Sequence, residues 1–331
     1  MKIGLIDVDG HNYPNLPLMK LSAWHKSKGD RVSWYDPCDG LIEEYDKVYM
    51  SKVFSFTPDY EHPIYAKQIE KGGTGYCIET INGKEVYHKE RQKDLPYEIE
   101  HIYPDYSLYP EQTKDTAYGF MSRGCPRGCS FCHVKDKEGQ RSYKVADLSE
   151  FWRGQKNIEL LDPNTLACCE WKDILGQLID CKARVNFNQG LDIRMMTEEK
   201  ASMLSQIKIS AVHFAWDRYQ DKEIIQPKFK EFRKASKIHA HNLQVYVLCG
   251  DHEPKVLPQD LERIYWLRDN GFAPYVMLYN KDGLSKGHEL RKLQRWVNNR
   301  FVFWKVDRFE DYMRESEVKP NDTRNNEIQT Q

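Results

Sequence analysis

Short apolar segments alternate with amphipathic segments along most of this sequence, and that alternation constrains the fold more than any other feature. Alternating strands and helices are typical of a parallel sheet with right-handed crossovers. After residue 116, we predict strands at 117–121, 157–161, 184–188, 209–214, 244–249 and 273–279, and helices at 146–152, 169–181, 197–206, 221–237, 258–269 and 287–297. These units are too few for the eight of a complete (βα) barrel, so they predict a partial one.

The first hundred residues predict a smaller unit of the same class, with strands at 2–8, 31–35 and 47–53. Leu18, Leu21 and Trp24 share one face of a predicted helix at 15–28. Gly72 to Gly75 are expected to form a turn after a helix, and the polar run 84–93 with the prolines after it predicts a linker.

The predicted fold class is α/β, with a small Rossmann-like parallel-sheet domain followed by a partial (βα)6 barrel of the TIM type. Ligands in such sheets bind at the carboxyl ends of the strands. The boundaries that we expect are a small domain at 1–98, a linker at 99–115, the barrel at 116–310 and a polar tail at 311–331.

Composition removes several classes of function. The chain has 331 residues, 49 Lys and Arg against 50 Asp and Glu, and a formal net charge of −1. Balanced charge offers no bulk attraction for nucleic acid. No apolar run reaches the roughly 18–20 residues that span a bilayer, and the first ten residues are too acidic for a secretion signal. An odd number of cysteines then indicates a reducing compartment, so we expect a cytoplasmic protein without membrane attachment.

Three of the nine cysteines crowd into eight positions after the predicted strand 117–121: Cys125, Cys129 and Cys132. The residues around them supply turn formers and positive charge, namely Arg123, Gly124, Pro126, Arg127 and Gly128. Soft sulfur ligands select zinc, copper(I) or an iron–sulfur cluster. Structural zinc usually takes four protein ligands, commonly as two separated CxxC-like pairs, and the sequence has no second pair of that spacing. Three thiolates suit a cubane with one open iron, and zinc remains the alternative.

This CxxxCxxC spacing, with Phe131 before the last cysteine, resembles the signature of radical S-adenosylmethionine (SAM) enzymes. The resemblance extends over 116–310, since that family has a partial (βα)6 barrel. It implies that the three cysteines hold a 4Fe–4S cluster and that Phe131 lies against the adenine of SAM. It also implies an electron donor such as flavodoxin or ferredoxin, and a 5′-deoxyadenosyl radical formed by reductive cleavage of SAM.

The same resemblance implies further contacts to SAM at strand ends. By position these are Asp162 for the ammonium group, Arg194 for the carboxylate, Asn188 at the barrel mouth, Asp217 after the fourth strand, and the backbone at Cys249 for the adenine. The resemblance identifies no catalytic side chain and no substrate.

The first domain resembles the cobalamin-binding domains that precede some radical SAM barrels. Their pattern of D-x-H, then S-x-L, then G-G corresponds here to Asp9, His11, Ser51, Gly72 and Gly73, although Pro14 stands where that pattern has glycine. The resemblance implies that His11 ligates cobalt, Asp9 orients His11, Ser51 binds the nucleotide base and the glycines admit the nucleotide tail. If cobalamin binds, the expected reaction is methyl transfer. If the domain keeps the fold but binds no corrin, the expected reaction is another radical modification.

Two readings of a different class remain. Asp7-Val8-Asp9-Gly10 after a strand also resembles the first motif of haloacid-dehalogenase phosphatases, with Asp7 as nucleophile, Asp9 as acid/base and Lys52 as a later lysine. A zinc-stabilised binding protein would use the same cysteines without catalysis. Iron and sulfide content would separate the radical SAM reading from both.

Overall fold

A computed structural model describes residues 1–279 and 281–317. The chain divides into two compact units. The first comprises Met1–Val212 with Ala235–Lys237, and the second comprises His213–Lys234 and the described residues from Ile238 onward. No helix among the described residues is both long and apolar enough to cross a bilayer.

The first unit opens with a four-stranded parallel sheet in the order β2-β1-β3-β4. Its elements are β1 (Lys2–Asp7), α1 (Leu16–Ser27), β2 (Arg31–Trp34), α2 (Pro37–Ile42), β3 (Lys47–Ser51) and β4 (Ile69–Gly72). Asp7 pairs with Ser51 and Ser51 with Gly72, so three strands end level at their carboxyl ends. The prediction of a helix before Gly72 is wrong, because an edge strand precedes it.

Both faces of this sheet are packed. Ile3 and Leu5 contact Leu18 and Leu21 of α1, the apolar face that the sequence predicted. On the other face, Val48 and its neighbours Ile6, Tyr45 and Met50 form a second cluster. The alternation of side chains along a strand therefore buries successive residues of β1 in two different cores.

A short antiparallel hairpin follows the first sheet. The elements here are α3 (Thr74–Cys77), β5 (Ile78–Ile81), β6 (Lys84–Tyr87), α4 (Tyr97–Glu100) and α5 (Pro110–Thr113). The prediction of linker from residue 84 is therefore wrong at its start. Asn82 and Gly83 both have positive φ, 51° and 74°, as a two-residue hairpin turn requires. The Asn-Gly pair was the sequence signal for this hairpin.

The first unit also contains three parallel strands in the order β7-β10-β11. The elements of this part are β7 (Thr116–Gly119), β8 (Ser122–Arg123), α6 (Val134–Lys137), β9 (Tyr143–Lys144), β10 (Asn157–Leu160), α7 (Trp171–Asp180), β11 (Arg184–Leu191) and α8 (Glu198–Leu204). β8 and β9 pair antiparallel. The helix predicted at 146–152 is only a 3₁₀ turn at Leu148–Glu150.

The division between the units falls within β12 (Lys208–Ala215). The second unit then has α9 (Lys222–Ala235), β13 (Leu243–Cys249), α10 (Pro258–Asp269), β14 (Ala273–Leu278), α11 (Glu289–Asn298), α12 (Arg300–Phe303) and α13 (Phe309–Glu317). β13 and β14 pair in parallel. Every strand predicted after residue 116 is present, which confirms an α/β fold with parallel sheets, while the closed curvature of a partial barrel stays a prediction.

The polar tail was predicted to be loose from about residue 311. Residues up to Glu317 instead continue α13, and the rest of that tail, 318–331, lies outside the described residues. The predicted domain boundaries at 98 and 116 stay predictions.

Candidate functional site

The three clustered cysteines lie on one loop that leaves the carboxyl end of β7. The antiparallel pair of β8 and β9 closes the base of this cysteine loop, which we define as residues 124–142. Cys125, Cys129 and Cys132 are all half-buried. The sequence predicted this position at a strand end, and the structure agrees.

Gly124 shapes the first turn of the cysteine loop. Its φ is +77°, and a Cβ at this position would lie 2.1 Å from the backbone oxygen of Arg141. Its N–H donates to Oε2 of Glu138 at 2.9 Å, and the N–H of Cys125 donates to the oxygen of Gly139 at 3.3 Å. Any side chain at 124 would push the two arms of the loop apart, so glycine is required there.

Asp162 anchors the chain just before the cysteine loop. It follows β10, and only 3% of its surface is exposed. Oδ1 accepts the N–H of Met121 at 2.8 Å, while Oδ2 accepts the N–H and the hydroxyl of Ser122 at 2.8 and 2.6 Å. Thr165 donates a further hydroxyl at 3.2 Å. Burial raises the pKa of this carboxyl to about 6, even though all four donors favour its charged form.

Asn164 contacts a cysteine sulfur directly. Its Nδ2 lies 3.4 Å from Sγ of Cys125, and its backbone oxygen accepts the Ser142 hydroxyl at 3.1 Å. Asn164 is 2% exposed, and its Oδ1 is buried without a partner among the described residues. The sequence analysis assigned a role to Asp162 but none to Asn164, two positions later.

Asp192 links the cysteine loop to the end of β11. It accepts Nε of Arg127 at 2.5 Å and Nε of Arg194 at 2.7 Å. Arg123 is held in turn by Glu138, with Nη1 2.8 Å from Oε1. The expectation that Arg123 and Arg127 balance thiolate charge is therefore incomplete, because each guanidinium already has a carboxylate partner.

The other residues predicted to contact SAM are divided between the units. Phe131 is half-buried in the cysteine loop, and Asn188 is half-buried near the carboxyl end of β11. Asp217 and Cys249 belong to the second unit, where Arg263 donates to the backbone oxygens of Asp217 at 2.6 Å and Leu248 at 2.9 Å. Cys249 is fully buried, and burial raises the pKa of its thiol. Their contacts to SAM stay predictions.

No group of three or more His, Cys, Asp or Glu side chains within residues 1–279 and 281–317 is placed to hold a metal ion. The cysteine loop carries three half-buried thiols. Their chemistry still fits an iron–sulfur cluster better than a hard cation, because thiolates are soft ligands and Asn164 supplies the outer hydrogen bond typical of such sites. The ligand assignment stays a prediction.

The structure does not bring Asp9 and His11 together. Asp9 accepts the N–H groups of Val53 and Phe54 at 2.5 and 3.3 Å and the Thr57 hydroxyl at 2.6 Å. The exposed ring of His11 stacks on Trp34 instead, with the ring centroids 4.1 Å apart. Asp9 therefore closes the loop after β3, and the predicted orienting contact to His11 is not formed.

The serine and glycines of the cobalamin pattern also have partners within the first sheet. Ser51 accepts Nδ2 of Asn15 at 2.9 Å and is 4% exposed. Gly73 has φ +99°, and a Cβ there would lie 2.3 Å from the oxygen of Lys52, whereas Gly72 meets nothing within 4 Å. Close packing of β3 against the turn after β4 therefore accounts for Gly73 without a ligand. The cobalamin contacts stay predictions.

Asp7, the nucleophile of the phosphatase reading, faces Tyr109. Its Oδ2 accepts the tyrosine hydroxyl at 2.6 Å, and its Oδ1 is buried without a partner among the described residues. Burial raises the pKa of this carboxyl. Asp9 is hydrogen-bonded to the loop after β3, and Lys52 is only 9% exposed. Asp7, Asp9 and Lys52 therefore do not form a phosphate-binding site.

No protein-family model and no curated protein matches this chain. Solved structures do. One is the radical S-adenosylmethionine methyltransferase TsrM from Kitasatospora setae with cobalamin and a 4Fe–4S cluster bound, at 11% identity and a TM-score of 0.54, covering 84% of this chain and 75% of TsrM. Another is TsrM with its tryptophan substrate and a SAM analogue, aza-SAM, at 11% identity and a TM-score of 0.57, covering 83% and 72%.

The chain shares the TsrM fold. At 11% identity this likeness establishes the fold alone, a mixed α/β fold with parallel sheets over most of the chain. The TsrM fold does not favour the phosphatase or the zinc-stabilised binding protein.

Proposed function

We propose that this chain is a radical SAM enzyme whose cluster ligands are Cys125, Cys129 and Cys132. One observation carries the proposal: the three-cysteine loop leaves the carboxyl end of the first strand of a parallel sheet, in a chain that shares the TsrM fold. A 4Fe–4S cluster bound there would supply the electron that cleaves SAM to methionine and a 5′-deoxyadenosyl radical. The substrate that this radical modifies is not identified.

The chain's own residues would shape and tune the loop. Asp162 holds the backbone of Met121 and Ser122, and Glu138 holds Gly124, so the loop is fixed where it starts. Asn164 would donate a hydrogen bond to the sulfur of Cys125, which stabilises the more negative, reduced state of a cluster.

Arg194 would bind the SAM carboxylate. Asp192 accepts from its Nε and fixes its guanidinium near the end of β11, where Asn188 also lies. Phe131 of the cysteine loop would contact the adenine of SAM. We do not assign the SAM ammonium group to Asp162, since both of its oxygens already accept hydrogen bonds from the chain.

The electron would come from a cytoplasmic one-electron donor of the flavodoxin or ferredoxin type. All three cysteines are half-buried rather than enclosed, and a cluster near the surface suits electron transfer from a separate protein.

A second candidate is cobalamin-dependent methyl transfer, favoured by the fold shared with TsrM, whose structure holds cobalamin. In this chain Asp9 is bonded to the loop after β3, His11 is stacked on Trp34, and Ser51 is bonded to Asn15. These residues do not fit the predicted cobalamin contacts, so we derive no step through a corrin.

Iron and sulfide analysis after anaerobic purification tests the proposal. We expect about four irons per chain in the wild type and none in a variant with Cys125, Cys129 and Cys132 changed to Ala. A matched control changes three cysteines outside the loop, Cys38, Cys169 and Cys181, and should keep its iron. Zinc in place of iron, or iron retained by the first variant, would refute the proposal.

A further inference from the structure

Three polar side chains form a row across the sheet beside the cysteine loop. The register pairs Glu159 of β10 with Tyr118 of β7 on one side and with Asn186 of β11 on the other. All three are half-buried, while the residues before them, Ala117, Ile158 and Val185, are fully buried. Since side chains alternate along a strand, the row lies on the less covered face of this sheet.

Glu159 forms no ion pair with a described residue. Its Oε2 accepts Nδ2 of Asn186 at 2.7 Å, and no Lys, Arg or His of the described residues pairs with it. Burial raises the pKa of this carboxyl, and the hydrogen bond from Asn186 opposes that rise. A half-buried carboxylate without a cation costs folding free energy. A positively charged ligand bound to Glu159 would offset this cost.

Asn186 adds a second acceptor to the row. Its Nδ2 is used by Glu159, and its Oδ1 is buried without a partner among the described residues. The row therefore presents a carboxylate and an amide oxygen, both of which accept hydrogen bonds, beside the ring of Tyr118. A ligand that satisfies both needs several N–H donors and a positive charge, and a protonated amine has both.

The row lies next to the proposed reaction centre. Tyr118 and Glu159 each stand one residue before the carboxyl end of their strand, at Gly119 and Leu160. The cysteine loop leaves the first of these strands, and Asp162 follows the second. A ligand bound to Glu159 would therefore lie at the strand ends where the loop begins.

We propose that Glu159 and Asn186, with Tyr118 beside them, bind the protonated amine of a ligand. The assignment of a role to that ligand rests on the proposed radical SAM function, but the binding site itself does not. We assign the ligand as an amine-bearing substrate, because Arg194, the proposed contact for the SAM carboxylate, lies beyond the end of β11 while Asn186 lies within it. The ammonium group of SAM has the same chemistry, and its binding here is the outcome that would overturn this assignment.

The test measures binding of n-butylammonium, of its neutral analogue 1-butanol and of SAM to the full chain, both as isolated and with its cluster reconstituted. Proteins compared are the wild type, Glu159→Gln and a control, Glu198→Gln, which removes an exposed carboxylate from the first turn of α8. We expect the wild type and the control to prefer butylammonium to butanol. Glu159→Gln should weaken butylammonium binding about ten-fold, as loss of a charged hydrogen bond implies, and leave butanol unchanged.

The pattern of losses identifies the source of the amine. Weaker butylammonium binding with unchanged SAM affinity in Glu159→Gln supports a substrate amine, and a ten-fold loss for both ligands would overturn the assignment to a substrate. Equal binding of butylammonium and butanol by the wild type, or no change in Glu159→Gln, would overturn the site. If Glu159→Gln does not fold, Asn186→Ser should weaken butylammonium binding without removing charge. Failure to assemble a cluster would refute the proposed function and leave amine binding to be judged on the isolated chain.

Discussion

Asp162 joins two strand ends through one carboxylate that accepts four hydrogen bonds from three residues. Two of the donors are backbone N–H groups, at Met121 just before β8 and at Ser122, its first residue. A side chain that offered only one acceptor would leave a buried donor unsatisfied, which costs about 1–3 kcal/mol. The cysteine loop therefore depends on a residue outside it.

Asp162→Asn should destabilise the chain by about 1–3 kcal/mol, since an amide accepts through one oxygen only. Hydrogen exchange at Met121 and Ser122 should accelerate more than exchange along β10. Denaturant unfolding and exchange measured by mass spectrometry, on protein without a cluster, check this. Asp136→Asn, an exposed change within the cysteine loop, serves as the control. Unaltered exchange at Met121 and Ser122 would show that Asp162 does not hold this segment.

The raised pKa of Asp162 predicts a pH dependence. Its pKa is about 6 in the folded protein and 3.8 as the ordinary value, so the folded state binds the proton more tightly. The wild type should therefore lose about 3 kcal/mol of stability relative to Asp162→Asn as pH rises from 3 to 7. Denaturant unfolding of both proteins across that range measures the difference, in which other titrating groups cancel. A difference that stays constant would contradict the shift.

Asn164→Ala should lower the reduction potential of the bound cluster, because the hydrogen bond from Nδ2 to Cys125 Sγ favours the reduced state. Loss of about 1 kcal/mol corresponds to a shift on the order of 40 mV. A spectroscopic redox titration measures it. As a control, Asn157→Ala removes an amide at the first residue of β10, the strand that precedes Asn164, and it should leave the potential unchanged. Equal potentials in all three proteins would argue against the sulfur contact.

At the scale of elements, the hairpin of β5 and β6 covers the segment that follows Cys132. Tyr87 stacks on the ring of His133 at 6.0 Å, and Glu85 lies 3.2 Å from its Nε2. Lys89, just beyond the hairpin, donates to the backbone oxygen of Lys137 at 2.8 Å. Residues that the sequence predicted to be linker thus contact the cysteine loop after Cys132.

Tyr87→Ala should make the cluster more sensitive to oxygen while leaving anaerobic iron content unchanged, because the segment after Cys132 loses its aromatic support. An aromatic pair contributes about 0.5–1 kcal/mol, so we expect roughly two- to five-fold faster loss of the visible absorbance in air. Thr80→Ala, an exposed change in the same hairpin, is the control. Identical decay of wild type and Tyr87→Ala would mean that the hairpin gives the cluster no protection.

At the scale of the whole molecule, the strands were predictable because the apolar residues that each one buries are close together in the sequence. The strand at 157–161 is β10, Asn157–Leu160, and the position of Cys125 after the first strand followed directly. The contacts of Asp162 with Met121, of Asp192 with Arg127 and of Glu159 with Asn186 were not predictable, since these partners lie 41, 65 and 27 positions away in the sequence. The positive φ of Gly124 was expected from its place in the turn, whereas the use of Asp9 by the loop after β3 was not.

The central claim is that this chain cleaves SAM with a cluster held by the cysteine loop. The direct measurement is 5′-deoxyadenosine formed from SAM by the reduced, anaerobically reconstituted protein, quantified by mass spectrometry. We expect product from the wild type and from the control with Cys38, Cys169 and Cys181 changed to Ala. We expect none from the variant lacking Cys125, Cys129 and Cys132. Absence of 5′-deoxyadenosine from a wild type that carries its full iron, or its formation by the variant without the three loop cysteines, would contradict the account.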